Sequence, residues 1–191
     1  PWIVAVRKST VVIWLLCLFW GLMLTAAIAQ EPIKVGGSLG LTGRFAVMSD
    51  ALHKGFQIWE QHVNSTGGLL GRQVRIICKD DGSSPETARG LYHELIETEK
   101  VDFLFAPYSS LITEAVLPIA EQSGTPILIA GAAADRLWEK GFRNAVGIYT
   151  PASKFTLGFL ELLVLNGLDR ITVVYADDPF SIDLAESTRK W

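Results

Sequence analysis

The feature that most constrains this chain is an alternation. From Pro32 onward, short runs rich in Val, Ile and Leu trade places with longer stretches whose apolar residues recur every three or four positions. Strand-like runs fall at residues 33–38, 73–78, 101–106, 126–130, 144–149 and 171–175. Between them lie helical stretches. Over 50–65, Leu52, Phe56, Trp59 and Val63 share one helix face, and Gly67-Gly68 ends the run. Ser84-Pro85-Glu86 opens the next helix, with Ala88, Leu91, Leu95 and Ile96 as its apolar face. Further helices are predicted over 110–123, bent at Pro118, over 153–166, and from 181 to 190. Strands alternating with helices pack as a parallel sheet covered on both faces, an α/β fold.

In such a fold ligands lie beyond the carboxyl ends of the strands. The segments to inspect are therefore 36–48, 80–84, 107–110, 131–135, 149–153 and 176–180. Most enzyme chemistries fail there. The glycine-rich loop is not G-x-G-x-x-G, no P-loop spacing occurs, and no G-x-S-x-G elbow is present. His53, His62 and His93 fall on predicted helices and make no metal-ligand cluster with a cysteine. No cofactor is implied. Asp80-Asp81 and Asp177-Asp178 are paired acids after strands, able to act as acid and base or simply to cap helices and satisfy loop amides. Asn64-Ser65-Thr66 matches a short glycosylation sequon.

The loops suit noncovalent capture better. Tyr108-Ser109-Ser110 follows a buried strand and opens a helix, so hydroxyls and unpaired backbone N–H groups converge where a carboxylate could sit. Gly131-Ala132-Ala133 carries small side chains that let a ligand approach the backbone. Tyr149 and Phe180, aromatic residues at strand ends, could wall an apolar ligand or belong to the core.

The N-terminal segment has a different character. Arg7-Lys8 precede a nearly unbroken apolar run, and Ala27-Ile28-Ala29 offers small residues before Gln30. This is the layout of a signal peptide over 1–29, cleaved on export through the Sec pathway to a periplasmic or other extracytoplasmic location. The competing reading is an uncleaved membrane anchor, since the run approaches the length that spans a bilayer. The formal net charge is −3 and the leader contains only basic residues, so the remainder is mildly acidic. With no basic cluster, nucleic acid is not expected as a partner. Cys78 is the only cysteine outside the leader and sits in an apolar strand, as a buried thiol would.

A family pattern runs through these segments. Ile33-Lys34-Val35-Gly36-Gly37-Ser38-Leu39-Gly40-Leu41-Thr42-Gly43 resembles the opening of the branched-chain amino-acid-binding (Leu/Ile/Val-binding) family of ABC transporter substrate-binding proteins, with the type I periplasmic binding fold. Asn64-Ser65-Thr66-Gly67-Gly68, Asp80-Asp81-Gly82, Ala106-Pro107-Tyr108-Ser109-Ser110, Gly124-Thr125-Pro126 and Val173-Val174-Tyr175-Ala176-Asp177-Asp178-Pro179-Phe180 continue it in order. The resemblance implies two hinged lobes enclosing a ligand. Residues 30–150 would form the first lobe, short of segments that return to it, and 151–191 the start of the second. The chain thus reads as the front part of a longer protein.

The resemblance also implies site roles. The hydroxyl for a ligand α-carboxylate falls on Ser110, with Ser109 beside it, and Gly131, Ala132 and Ala133 supply backbone groups. Phe180 would face the ligand from the second lobe, and Phe45 and Met48 from the first loop. Ala133 stands where many amino-acid binders carry threonine. The implied function is capture of an amino acid or related small polar solute and its delivery to an ABC permease, without catalysis. A sensor of amides or urea on the same fold is an alternative, and a secreted hydrolase a remote one.

Overall fold

The computed structural model describes residues 30–191, so the expected leader over 1–29 lies outside the described residues. Five strands, β1 (Ile33–Leu39), β2 (Val74–Asp80), β3 (Phe103–Phe105), β4 (Ile127–Ile129) and β5 (Ala145–Gly147), form one parallel sheet in the order β2-β1-β3-β4-β5. Helices α1 (Ala46–Ser65), α2 (Pro85–Glu97), α3 (Ser110–Ser123) and the short α4 (Arg136–Glu139) connect them. After β5 come a 3₁₀ turn at Ala152–Lys154, α5 (Leu157–Leu165) and α6 (Pro179–Lys190).

The strand order explains where the core sits. The chain steps from β1 outward to β2, then crosses back over β1 to β3 and continues the other way. Right-handed crossovers in opposite directions put their helices on opposite faces. Ala88, Tyr92 and Leu95 of α2 therefore pack with Ile112, Val116 and Leu117 of α3 over Leu104 and Ile127. Phe56 and Val63 of α1 cover Ile33, Val35, Val74 and Phe105 on the other side. Adjacent Leu104 and Phe105 serve opposite faces, as the two-residue period of a strand requires. Phe105 stacks on Phe56 with ring centroids 4.1 Å apart.

Two side-chain choices fix this packing. A Cβ at Gly37 would lie 2.8 Å from the Phe105 carbonyl oxygen, so only glycine lets β1 and β3 sit this close. Tyr92 is fully buried and donates its hydroxyl hydrogen bond to that same carbonyl. The expected apolar face of α2 named Leu91, but Leu91 is only half-buried and Tyr92 takes the core position. The ring supplies the apolar bulk, and its polar tip finds a partner.

Most predicted elements form, with shifted ends. Helix α3 matches the expected 110–123 and continues through Pro118. Helix α1 begins at Ala46 rather than 50, its entry held by the Phe45 N–H donating to Ser83 Oγ at 3.1 Å. The stretch expected as one helix over 153–166 divides into the 3₁₀ turn and α5. The strand expected over 171–175 does not form. Val174 is 92% exposed, and the segment joins no ladder among the described residues. Its β-branched run favours an extended backbone, but a strand exists only with a neighbour to bond.

The sheet face on the α1 side stays open over β3, β4 and β5. There Phe103, Val146 and Ile148 line an apolar groove of about 550 Å³. Among the described residues, no helix is long and apolar enough to cross a membrane.

Candidate functional site

Because the sheet reverses direction at β1, a crevice opens where the loops after β1 and β3 diverge. The loops after β4 and β5 extend it. A cavity of about 240 Å³ occupies this position, and nine of the ten residues nominated from the sequence line it. Phe45 contributes from the first loop, Tyr108, Ser109 and Ser110 from the entry to α3, Gly131, Ala132 and Ala133 from the loop after β4, and Tyr149 and Phe180 from the later segments. Met48 does not line it. Because α1 begins at Ala46, Met48 falls on the helix rather than in the loop, and there it is 53% exposed.

The floor is built from two loops joined by one hydroxyl. Ser110 is 3% exposed, and its Oγ accepts from the N–H groups of Ala133 and Ala134, both at 3.1 Å. Thr113 Oγ1 donates to the Pro107 carbonyl at 2.9 Å, fixing the turn that leads into α3. A Cβ at Gly131 would lie 2.9 Å from Leu52 Cδ1 and 3.2 Å from Tyr108 Cδ2, so a larger residue there would have to push these side chains aside. The N-terminal amides of a helix lack intrahelical partners, and the side chain of Ser109, the residue preceding α3, makes no cap hydrogen bond. Ser109 Oγ is buried without a hydrogen-bond partner. This corner offers donors, a positive helix end and one unsatisfied hydroxyl.

The walls are aromatic. Phe45 and Tyr108 meet edge to face at 5.4 Å. Phe155 sits between Tyr149, at 6.3 Å, and Phe180, at 5.6 Å. Burial, and to a lesser degree the neighbouring Tyr149, push the Tyr108 phenol above its ordinary range, so it stays a neutral hydroxyl. Arg44, Leu111, Phe155 and Asp178 also line the cavity and were missed as site residues. Phe155 had the signal of a helix-face apolar residue and Asp178 that of a capping acid. Arg44 carried no signal beyond its place in the first loop.

Three of the four paired acids, Asp80, Asp81 and Asp178, are occupied structurally. Asp81 is buried, accepting from Ser38 Oγ at 2.7 Å and from the Ser83 N–H at 2.8 Å. Burial raises its carboxyl above the usual range, the Ser38 and Ser83 bonds counter that, and the charge of Asp80 adds to it. Asp80 is pushed up by desolvation, but bonds from Gly82, Thr42 and Leu41 outweigh it and hold the group low. Asp178 caps α6, accepting from the Ser181 N–H at 3.1 Å. Burial, then the charges of Asp81 and Asp80, push the Cys78 thiol up to about 11, so it is no nucleophile at neutral pH. Asn64 spends its side-chain amide on the backbone of Val74, in bonds of 2.7 and 2.8 Å. Among the described residues no group of His, Cys, Asp and Glu could hold a metal ion.

Residues 32–191 match the family model described as periplasmic binding protein. Among curated relatives, the Leu/Ile/Val-binding protein homolog 7 of Brucella suis biovar 1 (strain 1330) is 27% identical over 174 residues, which cover 86% of this chain and 43% of the relative. The chain therefore spans less than half the length of the curated relatives it matches. Among solved structures, the branched-chain amino acid transporter substrate-binding protein LivJ of Streptococcus pneumoniae, in complex with isoleucine, superposes with a TM-score of 0.71 at 23% identity, covering 83% of this chain and 46% of that one. A solute-binding protein of an ABC transporter from Rhodopseudomonas palustris BisB5, in complex with 3,4-dihydroxybenzoic acid, gives 0.76 at 19% identity, covering 84% and 43%. At these identities the superpositions establish the fold, the type I periplasmic binding arrangement. With its parallel sheet and a family match across nearly all described residues, the chain belongs to the periplasmic binding protein family.

Proposed function

We propose that this protein is the extracytoplasmic solute receptor of an ABC importer, and that it holds a small carboxylate-bearing solute in the cavity beyond β3 and β4 and passes it to a permease. The observation that carries this reading is the convergence of nine sequence candidates, from five separate segments, on one cavity of about 240 Å³. Its floor gathers the hydroxyls of Ser109 and Ser110 and the N-terminus of α3, which complement an anion without reacting with it. The solved neighbours carrying isoleucine and 3,4-dihydroxybenzoic acid share the carboxylate as their common group. In this reading residues 30–150 act as the first lobe and residues from 151 onward begin the lid. A ligand touching both favours the closed form in proportion to its extra contacts there.

The two serines separate binding from scaffolding. Ser109 Oγ has no internal partner to lose, whereas Ser110 Oγ holds the loop at Ala133 and Ala134. Ser109→Ala in the full-length protein is expected to leave the Tm unchanged and to weaken carboxylate binding by about 1.5–3 kcal/mol, roughly 10- to 100-fold, measured by calorimetry. Ser110→Ala is expected to lower both affinity and Tm. If Ser109→Ala binds the solute as tightly as the parent, the carboxylate does not sit at this corner.

A further inference from the structure

The loop that carries Phe45 into the cavity is held from outside it. Residues 40–45 lead from β1 into α1, and Arg44 and Phe45 at the end of that loop line the cavity. The turn after β2 grips the loop. Asp80 accepts from the Thr42 N–H at 3.1 Å and from the Thr42 hydroxyl at 2.7 Å. Ser83 Oγ donates to the Thr42 carbonyl at 2.8 Å and accepts from the Phe45 N–H at 3.1 Å. One hydroxyl thus ties the middle of the loop to the residue that enters the helix. Neither Asp80 nor Ser83 lines the cavity.

The backbone at Ser83 shows that the side chain matters. Its φ is +62°, in the left-handed region, directly after Gly82 at +60°. A residue with a Cβ carries a steric penalty there that glycine lacks. The backbone alone therefore favours glycine at 83, and what serine adds is the hydroxyl. Buried Asp81 fixes the turn from below, accepting from the Ser83 N–H at 2.8 Å. The facing loop is shaped to this side chain. A Cβ at Gly40 would collide with Ser83 Oγ, and one at Gly43 would lie 2.8 Å from the same atom and 2.6 Å from the Gly82 carbonyl oxygen.

What the clamp holds is one wall of the cavity. The Phe45 ring meets Tyr108 edge to face at 5.4 Å, and the Arg44 guanidinium carbon lies 4.4 Å from the centre of the same ring. Arg44 is exposed and Phe45 only half-buried, so packing alone restrains them weakly. The bond to the Phe45 N–H sets where this pair starts. A wall fixed before the solute arrives spares the cost of ordering it on binding.

We propose that Ser83 is a positioning residue for solute binding, acting from outside the cavity through the first loop to hold Phe45 and Arg44 in place. This rests on the solute-binding reading above and adds to it a residue that never touches the solute. The test uses purified full-length protein, its Ser83→Ala and Ser83→Gly variants, and two probes in calorimetry, isoleucine and 3,4-dihydroxybenzoate, with the Tm of each variant measured alongside. Both variants lose the hydroxyl, but only alanine keeps a Cβ in the left-handed backbone. Both are expected to bind the probe that the parent binds about 3- to 10-fold more weakly, the ordering cost of one mobile side chain. The Tm is expected to be higher for Ser83→Gly than for Ser83→Ala, since glycine relieves the backbone. Affinity would then follow the hydroxyl while stability follows the Cβ, a split that a purely structural role does not produce. Parent-like affinity in both variants overturns the inference and leaves the solute-binding reading standing. Affinity that follows the Tm, weak in Ser83→Ala and parent-like in Ser83→Gly, assigns position 83 to backbone geometry alone and overturns it as well. If the parent binds neither probe, the solute-binding reading falls and the positioning role falls with it.

Discussion

Residues 33–147 and residues 151–191 have similar sequence patterns and very different structural fates. In the first region every short β-like run finds a parallel neighbour, and the helices bury a face against the sheet. In the second, α5 has no buried residue despite its nearly continuous apolar sequence, and the run over 171–175 stays outside any ladder. The 3₁₀ turn and α6 are the parts anchored there, the turn through buried Ala152 and the bond from the Ser153 N–H to Asp135. Asp183, Ala185 and Thr188 are buried, and Arg136 of α4 forms an ion pair with Asp183. Propensity nominates an element, and a partner makes it stable. The comparison can be broken by substitution.

The largest effect is expected in the first region. Ile112 is fully buried between α2, α3 and the sheet. Ile112→Ala should cost about 2–5 kcal/mol, from lost burial and the cavity left behind, measured by urea unfolding of the full-length protein. A cost below about 1 kcal/mol would mean that the cluster around Leu104 repacks freely and is not the rigid base assumed for the site.

A smaller effect is expected at the junction between the regions. Arg136 donates to Asp183 from its backbone N–H at 3.2 Å and from Nε at 2.9 Å, and Nη2 also meets the carboxylate. Asp135 accepts from the Ser153 N–H at 2.9 Å, and the Trp191 indole donates to the Ser153 carbonyl at 3.1 Å. These bonds hold α6, and with it Phe180, over the cavity. Asp183→Asn should cost about 1–3 kcal/mol of stability, within the range for hydrogen bonds to charged groups. A double-mutant cycle with Arg136→Lys measures the coupling, since lysine keeps the charge and loses the planar fork. Zero coupling energy would show that the junction is held by apolar packing instead.

How far this was legible in the sequence follows the same division. The strand order and the three long helices of the first region could be read from apolar periodicity, whereas the short α4 was not among the expected elements and β5 is largely exposed. The candidate corner could be read from Tyr108-Ser109-Ser110 and Gly131-Ala132-Ala133, because hydroxyls and small residues in loops at strand ends leave backbone groups open to a ligand. The commitment of the Ser110 lone pairs to Ala133 and Ala134 could not, since it depends on two loops separated in sequence meeting in space. Tyr92 escaped for another reason. A residue type that usually keeps its hydroxyl in water was not counted as core, yet the Phe105 carbonyl supplies the missing partner. Met48 was misplaced by a four-residue error in the start of α1, enough to turn a loop residue into an exposed helical one.

The smallest effect sharpens the contrast most. Leu165 closes α5 at 84% exposure. In the 191-residue chain, Leu165→Ser removes almost no buried surface, and the expected change is within about 0.5 kcal/mol, as for other exposed sites. The relatives, however, extend to more than twice the length matched here. A helix apolar on every side belongs in an interior. If residues beyond 191 cover α5 in the complete protein, the same substitution should cost about 2–4 kcal/mol there, in the range of a large-to-small core change. A difference between the two settings would assign the exposed apolar surface of 157–165 to an unfinished core. Equal, near-zero costs would make α5 a surface helix, and the contrast between the two regions would then lie in their sequences rather than in the partners each one finds.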